Sequence, residues 1–376
     1  MGKVMVLGAG DLGRRVFHEL AHGPRDRRVR LVGRDEEATL RAANLSRFSS
    51  LQRGYRAEVS YAVTDLNDVA RTAECIAEFD PEVLFLAASF QSWWVITTLP
   101  SDAFQRLYAA NFGPWLPMHL VPVHKAMLAV RMAGSRAVVV NAAYPDAVHP
   151  VLHAVGLSPD VGIGNVANNV PGIRVAAADL LGAPVDDVDV RLVAHHYVSH
   201  RLSRAGDPGA AGMSLTIALS GVDATDRLDI ASLLKRLPLE YRRTGGMAGQ
   251  AMTAASALSL LEPLADHRDA LVHAPGPNGL AGGYPVALTA DGGVTTALPR
   301  SLPLSQAVAI NESGQREDGI TSIDSSGTVR FEPGSMSVLT TELGYDCQTM
   351  PLSEAEPRAT ELATRFESYR NRIGAA

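Results

Sequence analysis

Lys3-Val-Met-Val-Leu-Gly-Ala-Gly-Asp-Leu-Gly13 opens with an apolar run that breaks into closely spaced glycines. The run reads as a parallel strand buried on both faces. The chain then resumes as an amphipathic helix to about Leu20. Between them, Gly8, Gly10 and Gly13 have the spacing of a dinucleotide-binding loop. Gly8 permits the tight turn, Gly10 lets a pyrophosphate approach the backbone, and Gly13 lets helix and strand pack closely. The N–H groups at the helix start, around Asp11 and Leu12, then face an anion along the helix dipole. The bland alternative is a purely structural glycine turn.

The second apolar run, Val29-Arg-Leu-Val-Gly33, ends about 20 residues beyond the first glycines, where an NAD-selective site commonly carries a carboxylate for the ribose 2′-OH. Here the residues are Gly33-Arg34-Asp35. Glycine leaves room, and the Arg34 guanidinium suits a 2′-phosphate through a forked, charge-assisted contact. The expected cofactor is therefore NADP(H), with NAD(H) the alternative; Arg34 as a solvated residue and Asp35 as a plain helix cap is the simpler reading.

A third strand, Ala57–Val63, leads to Asp65, read either as an adenine contact or as a helix cap. The fourth, Pro81–Ala88, ends in Ala87 and Ala88, small enough for a cofactor to lie across them. Strand and helix alternate with short links, which predicts a doubly wound parallel sheet. Trp93 and Trp94 then interrupt the pattern, as a crevice wall or lid, or divided between core and a subunit interface. A long helix, bent by Pro114, Pro117 and Pro122, is expected from about Ser101 to Arg131, and a fifth strand ends at Asn141. Beyond Pro150 the pattern shifts to antiparallel strands and helices, including a strand from Val188 to His196. Three parts are expected: a dinucleotide-binding domain over 1–145, an α+β substrate domain over 146–315, and a hairpin-and-helix extension over 316–376.

With 376 residues, 46% hydrophobic, the chain is long enough for two domains. A net charge of −6 argues against nucleic acid as a main partner. Cys75 and Cys347 form neither a metal cluster nor a disulfide framework. The first residues enter the fold directly, leaving no room for a signal peptide, and no apolar run reaches membrane-spanning length. The expectation is a cytoplasmic homodimer or homotetramer acting on a small molecule, with no metal.

The order of parts over roughly residues 3–315 resembles the lactate/malate dehydrogenase fold. Gly8–Gly13 is similar to that family's cofactor loop. Asn111 and Asn141 resemble two asparagines lining its cofactor and substrate site. Gly162-Ile-Gly-Asn165 resembles the turn before its catalytic helix, and Val193-Ala-His-His196 the strand ending in its catalytic histidine. The resemblance implies a Rossmann sheet followed by an α+β substrate domain, with hydride transfer to a carbonyl and His196 as general acid/base. The departures are as informative. Where the family offers an aspartate to orient the histidine and an arginine to fork onto the substrate carboxylate, this chain has Asn168 and Pro171. Arg106 is the candidate for the family's mobile-loop arginine, out of register by one, and Arg174 a displaced carboxylate partner.

The leading expectation is an NADP(H)-dependent oxidoreductase whose carbonyl, alcohol or imine substrate lacks the usual carboxylate clamp. Asn168 would orient His196, making it a poorer acid than an aspartate would. Neighbours on a strand point to opposite faces, so only one of His195 and His196 would reach the site; a structural histidine pair is the alternative. A non-catalytic dinucleotide sensor is the competing function. A dinucleotide-dependent lyase would need a cysteine–histidine metal pair, and neither cysteine lies near these motifs. Tyr144 lacks the lysine four residues later that a short-chain dehydrogenase would require.

Overall fold

The computed structural model describes residues 2–23 and 25–374. It begins with β1 (Lys3–Leu7), α1 (Asp11–Ala21), β2 (Arg28–Gly33), α2 (Glu36–Gln52), β3 (Glu58–Val63), α3 (Val69–Phe79) and β4 (Val83–Leu86). Then come α4 (Ser101–Tyr108), α5 (Leu116–Met132), β5 (Val138–Asn141), α6 (Pro145–His153) and β6 (Val161–Gly162). The strands run parallel in the order β3-β2-β1-β4-β5-β6. Strand order reverses between β1 and β4, so the ligand crevice falls outside their C-terminal ends. The two-residue period of β1 sends Val4 and Val6 into one layer and Met5 and Leu7 into the other, none more than 2% exposed. Through β6 the sheet continues past the expected boundary at residue 145.

The single helix expected from Ser101 to Arg131 is two helices. After α4, Asn111 takes a left-handed φ of 56°, Gly113–Trp115 forms a 3-10 turn, and α5 restarts at Leu116. Pro117 lies in the first turn of α5, where a missing N–H has no helical acceptor to lose. Gly113 lies so close to the main chain of Asp318 and Gly319 that a Cβ there would come within 2.7 Å of it.

The second half contains α7 (Val170–Leu181), β7 (Val188–Val193), α8 (His196–Arg204), β8 (Ser214–Leu219), β9 (Val222–Asp223), α9 (Ile230–Leu239) and α10 (Gln250–Ala265). β10 (Ala270–Pro275), β11 (Gly283–Leu288), β12 (Val294–Thr296) and α11 (Leu304–Glu317) follow. Two antiparallel sheets form, β7-β8-β9 and β10-β11-β12. The strand expected to reach His196 stops at Val193, and His196 is instead the first residue of α8.

The chain ends with β13 (Ile320–Ile323), β14 (Val329–Phe331), α12 (Pro333–Leu343), β15 (Thr349–Met350) and α13 (Ala355–Arg372). β13 and β14 form the expected hairpin. α13 packs on α5, with Phe366 edge-on to Trp115 at 5.4 Å, so the extension completes the core on one face of the parallel sheet. No described helix is long and apolar enough to cross a membrane.

Candidate active site

The glycines of the first loop do different work. Gly8 has φ 119°, and a Cβ on it would approach the Ala87 main chain to 2.8 Å. A Cβ on Gly13 would overlap the Gly8 carbonyl oxygen, whereas one on Gly10 would meet nothing within 4 Å. Gly10 is also the N-cap of α1 and supplies no capping side chain, so no cap competes with an anion for the first-turn amides. Gly10, Asp11, Leu12, Ala87 and Ala88 line a cavity of about 420 Å³. An uncapped helix start with open space above Gly10 fits a dinucleotide pyrophosphate.

The same cavity is lined on its other side by Phe112, Tyr144 and His196. His196 Nδ1 lies 2.8 Å from Asp318 Oδ2, and the Tyr144 hydroxyl donates to that oxygen, also at 2.8 Å. Asp318 Oδ1 accepts from the Phe112 amide at 3.4 Å, and its carbonyl oxygen accepts from the Gly113 amide at 2.6 Å. The His196 amide donates to Asp146 Oδ1 at 2.9 Å. Burial by itself would lower the His196 pKa, but the Asp318 carboxylate, by charge and hydrogen bond, outweighs it and leaves the pKa raised. For Asp318, burial pushes upward and the His196 charge prevails, leaving it lowered. Burial first, then the Asp318 charge, pushes the Tyr144 phenol well above its ordinary value, so it stays a donor. With Nδ1 committed to Asp318, Nε2 is the ring nitrogen left to serve the cavity.

Asn168 therefore does not orient His196. Its side-chain Nδ2 donates to Thr253 Oγ1 at 3.4 Å, its main-chain carbonyl accepts from Arg243, and it faces the cavity from the α10 side. A carboxylate holds the histidine instead, from beyond the stretch covered by the family resemblance. The alternating-strand argument for His195 and His196 also fails, because neither lies on a strand: His195 is the N-cap of α8, fully buried, with Nδ1 3.8 Å from Asp318 Oδ2. Only His196 of the two lines the cavity.

Several expected contacts lie elsewhere. Asn141 is fully buried and occupied by its own turn, its side chain bonding the Ala143 main chain and His149, behind the cavity wall. Arg174 donates to the Val185 and Val188 carbonyls at 2.9 and 2.6 Å, away from the cavity. Arg106 pairs with Glu342 at 3.1 Å. Trp93 lines the cavity; Trp94 does not. Asn111 sits in the turn after α4 rather than within the expected helix, and it too is outside the lining. Asp65 accepts from the Asn67 amide at 2.9 Å, while Asp68 caps α3. Arg34 is exposed at the end of β2 and bonds no other described residue, while Asp35 caps α2. Gly33 is required for packing as well as for room: a Cβ there would overlap Thr39 Oγ1.

Sequence reasoning missed Asp318, Asp146 and the two arginines that do line the cavity, Arg204 on α8 and Arg243 before α10. Glu317-Asp318-Gly319 reads locally as the end of a helix, and no spacing ties it to a histidine more than a hundred residues away. Among the described residues no group of three or more His, Cys, Asp or Glu side chains is placed to hold a metal.

No family model and no curated protein matches the sequence. Solved structures do match. A lactate dehydrogenase from Cryptosporidium parvum, complexed with lactic acid and β-nicotinamide adenine dinucleotide, superposes with a TM-score of 0.56 at 17% identity, covering 83% of this chain and 94% of its own. A malate dehydrogenase from the same organism gives 0.54 at 14%, covering 84% and 98%. The malate dehydrogenase of Plasmodium falciparum, in complex with NADH, gives 0.52 at 12%, covering 85% and 96%. This chain has the fold of the lactate and malate dehydrogenases.

Proposed function

We propose that this chain is an oxidoreductase that uses NADP(H) to interconvert a small carbonyl compound and its alcohol, or an imine and its amine. The observation that carries the reading is His196, backed by Asp318, opening onto the same cavity as the glycine loop. A bound nicotinamide dinucleotide would supply or accept the hydride. Gly8–Gly13, Ala87 and Ala88 would hold it in the crevice. At the substrate oxygen, His196 Nε2 releases a proton during reduction and takes one during oxidation. Asp318 stabilises the imidazolium, and the Phe112 ring packs 4.8 Å from that of His196.

Arg34, exposed and unpaired among the described residues, with Gly33 rather than a carboxylate before it, supports NADP(H); NAD(H), bound by the solved neighbours, is the alternative. Pro171 and the committed Arg174 leave the family's carboxylate clamp unfilled. Arg204 and Arg243 are exposed and approach from other elements. The substrate is thus expected not to be a standard 2-hydroxy acid, with negligible turnover of pyruvate and oxaloacetate.

A carbonyl panel with NADPH tests this reading. His196→Asn should lower the maximal rate by about a hundredfold or more with NADPH affinity intact. An undiminished rate would remove His196 from the chemistry. NADPH binding without turnover of any panel member would favour a sensor.

A further inference from the structure

Aromatic residues make up 6% of the chain, yet Trp93, Phe112 and Tyr144 share one cavity with His119, His196 and His200. Phe112 stands 5.0 Å from His119, 4.8 Å from His196 and edge-on to Tyr144 at 4.6 Å. His200 lies 4.5 Å from His196 and edge-on to Trp93 at 6.1 Å. Two of these histidines are uncharged at neutral pH: burial first, then the His196 charge, lowers both His119 and His200 to about 3. His119 is 7% exposed, and its Nδ1 has no hydrogen-bond partner among the described residues. A buried unpaired nitrogen costs free energy. The wall around His196 therefore offers ring faces and edges and one unpaired nitrogen, while the two lining arginines are already engaged with protein groups, Arg204 over the Tyr108 ring at 4.5 Å and Arg243 on Asn168 and Asn169.

We infer that the carbonyl substrate carries a flat, uncharged aryl or heteroaryl ring, seated among Trp93, Phe112 and Tyr144 with its carbonyl at His196. The inference rests on the proposed reading of this cavity as a carbonyl site. An aryl ring presents the quadrupole that these faces and edges complement, whereas a saturated ring of equal size presents only apolar area.

The test uses the full-length protein loaded with NADPH. Binding of acetophenone, cyclohexyl methyl ketone and acetone is measured by calorimetry, with turnover followed in parallel. Acetophenone should bind about tenfold more tightly than the saturated ketone, as two aromatic contacts would give, and acetone most weakly. Phe112→Leu should erase the preference for acetophenone while NADPH still binds. Trp93→Leu, at a half-buried position, gives the same readout should the Phe112 variant not fold. Equal binding of the aryl and saturated ketones, tightest binding of acetone, or no binding of any of them to NADPH-loaded protein overturns the inference. Failure to bind NADPH or NADH at all would instead strike the functional reading itself, and this inference with it.

Discussion

Asp318 settles the character of His196. Burial alone would lower the His196 pKa; the Asp318 carboxylate, by charge and hydrogen bond, leaves it raised. If reduction requires the imidazolium proton, the rate falls as pH rises through the His196 pKa. Asp318→Asn should move this fall to lower pH, besides slowing the reaction, and a pH profile of the maximal rate checks it. Stability follows from the same pair. The raised His196 stabilises the fold below its ordinary 6.5 and loses that contribution as pH rises through its folded value. The lowered Asp318 stabilises above its ordinary 3.8 and loses that as pH falls through its folded value. Melting curves of wild type and Asp318→Asn should therefore lie furthest apart between pH 3.8 and 6.5 and converge as pH rises through the raised His196 value. A gap independent of pH would mean that the pair is not ionised. Arg34 carries a separate expectation. Arg34→Ala should weaken NADPH binding by roughly ten- to a hundredfold, the worth of a charge-assisted pair, and leave NADH nearly unchanged. Equal losses would dismiss the 2′-phosphate assignment.

At the scale of elements, the β1–α1 unit separates two kinds of glycine. Gly13 holds the helix against the strand, since any Cβ there meets the Gly8 carbonyl. Gly10 has an ordinary φ of −74° and open space where a Cβ would go. Gly13→Ala should therefore destabilise the protein by about 1–3 kcal/mol, as overpacking does. Gly10→Ala should stay within about 0.5 kcal/mol of wild type yet bind NADPH more weakly, because the methyl fills the approach to the backbone. Chemical denaturation and cofactor titration together distinguish the two; a Gly10→Ala protein with unimpaired binding would place the pyrophosphate elsewhere. The division of α4 from α5 has a similarly local cause. The left-handed Asn111 and the 3-10 turn bring Phe112 and Gly113 onto Asp318, which an uninterrupted helix could not do.

For the molecule as a whole, the C-terminal extension is part of both core and site. Leu362, Phe366 and Tyr369 of α13 are at most 2% exposed and share a core with α5 and the sheet, and Asp318 stands at the start of the same extension. Phe366→Ala should cost about 3–5 kcal/mol, the range for emptying a buried aromatic site, read as a lower urea midpoint. A midpoint matching wild type would show that the extension folds apart from the body.

The order of elements through β4, the opening strand and the glycine loop were legible because they rest on local rules: alternation for β1, turn chemistry at Gly8, helix resumption at Asp11. His196 was legible as a candidate through resemblance alone. What the sequence by itself determined is thus the Rossmann half. Tertiary structure alone decided which histidine nitrogen serves the cavity, that Asn141 and Arg174 are occupied by main-chain groups, and that a carboxylate backs the imidazole. The reason is distance along the chain. Asp318, Tyr144 and His196 meet through hydrogen bonds spanning 122 and 174 positions, set by how α11 and α8 pack, and no local periodicity encodes such a meeting.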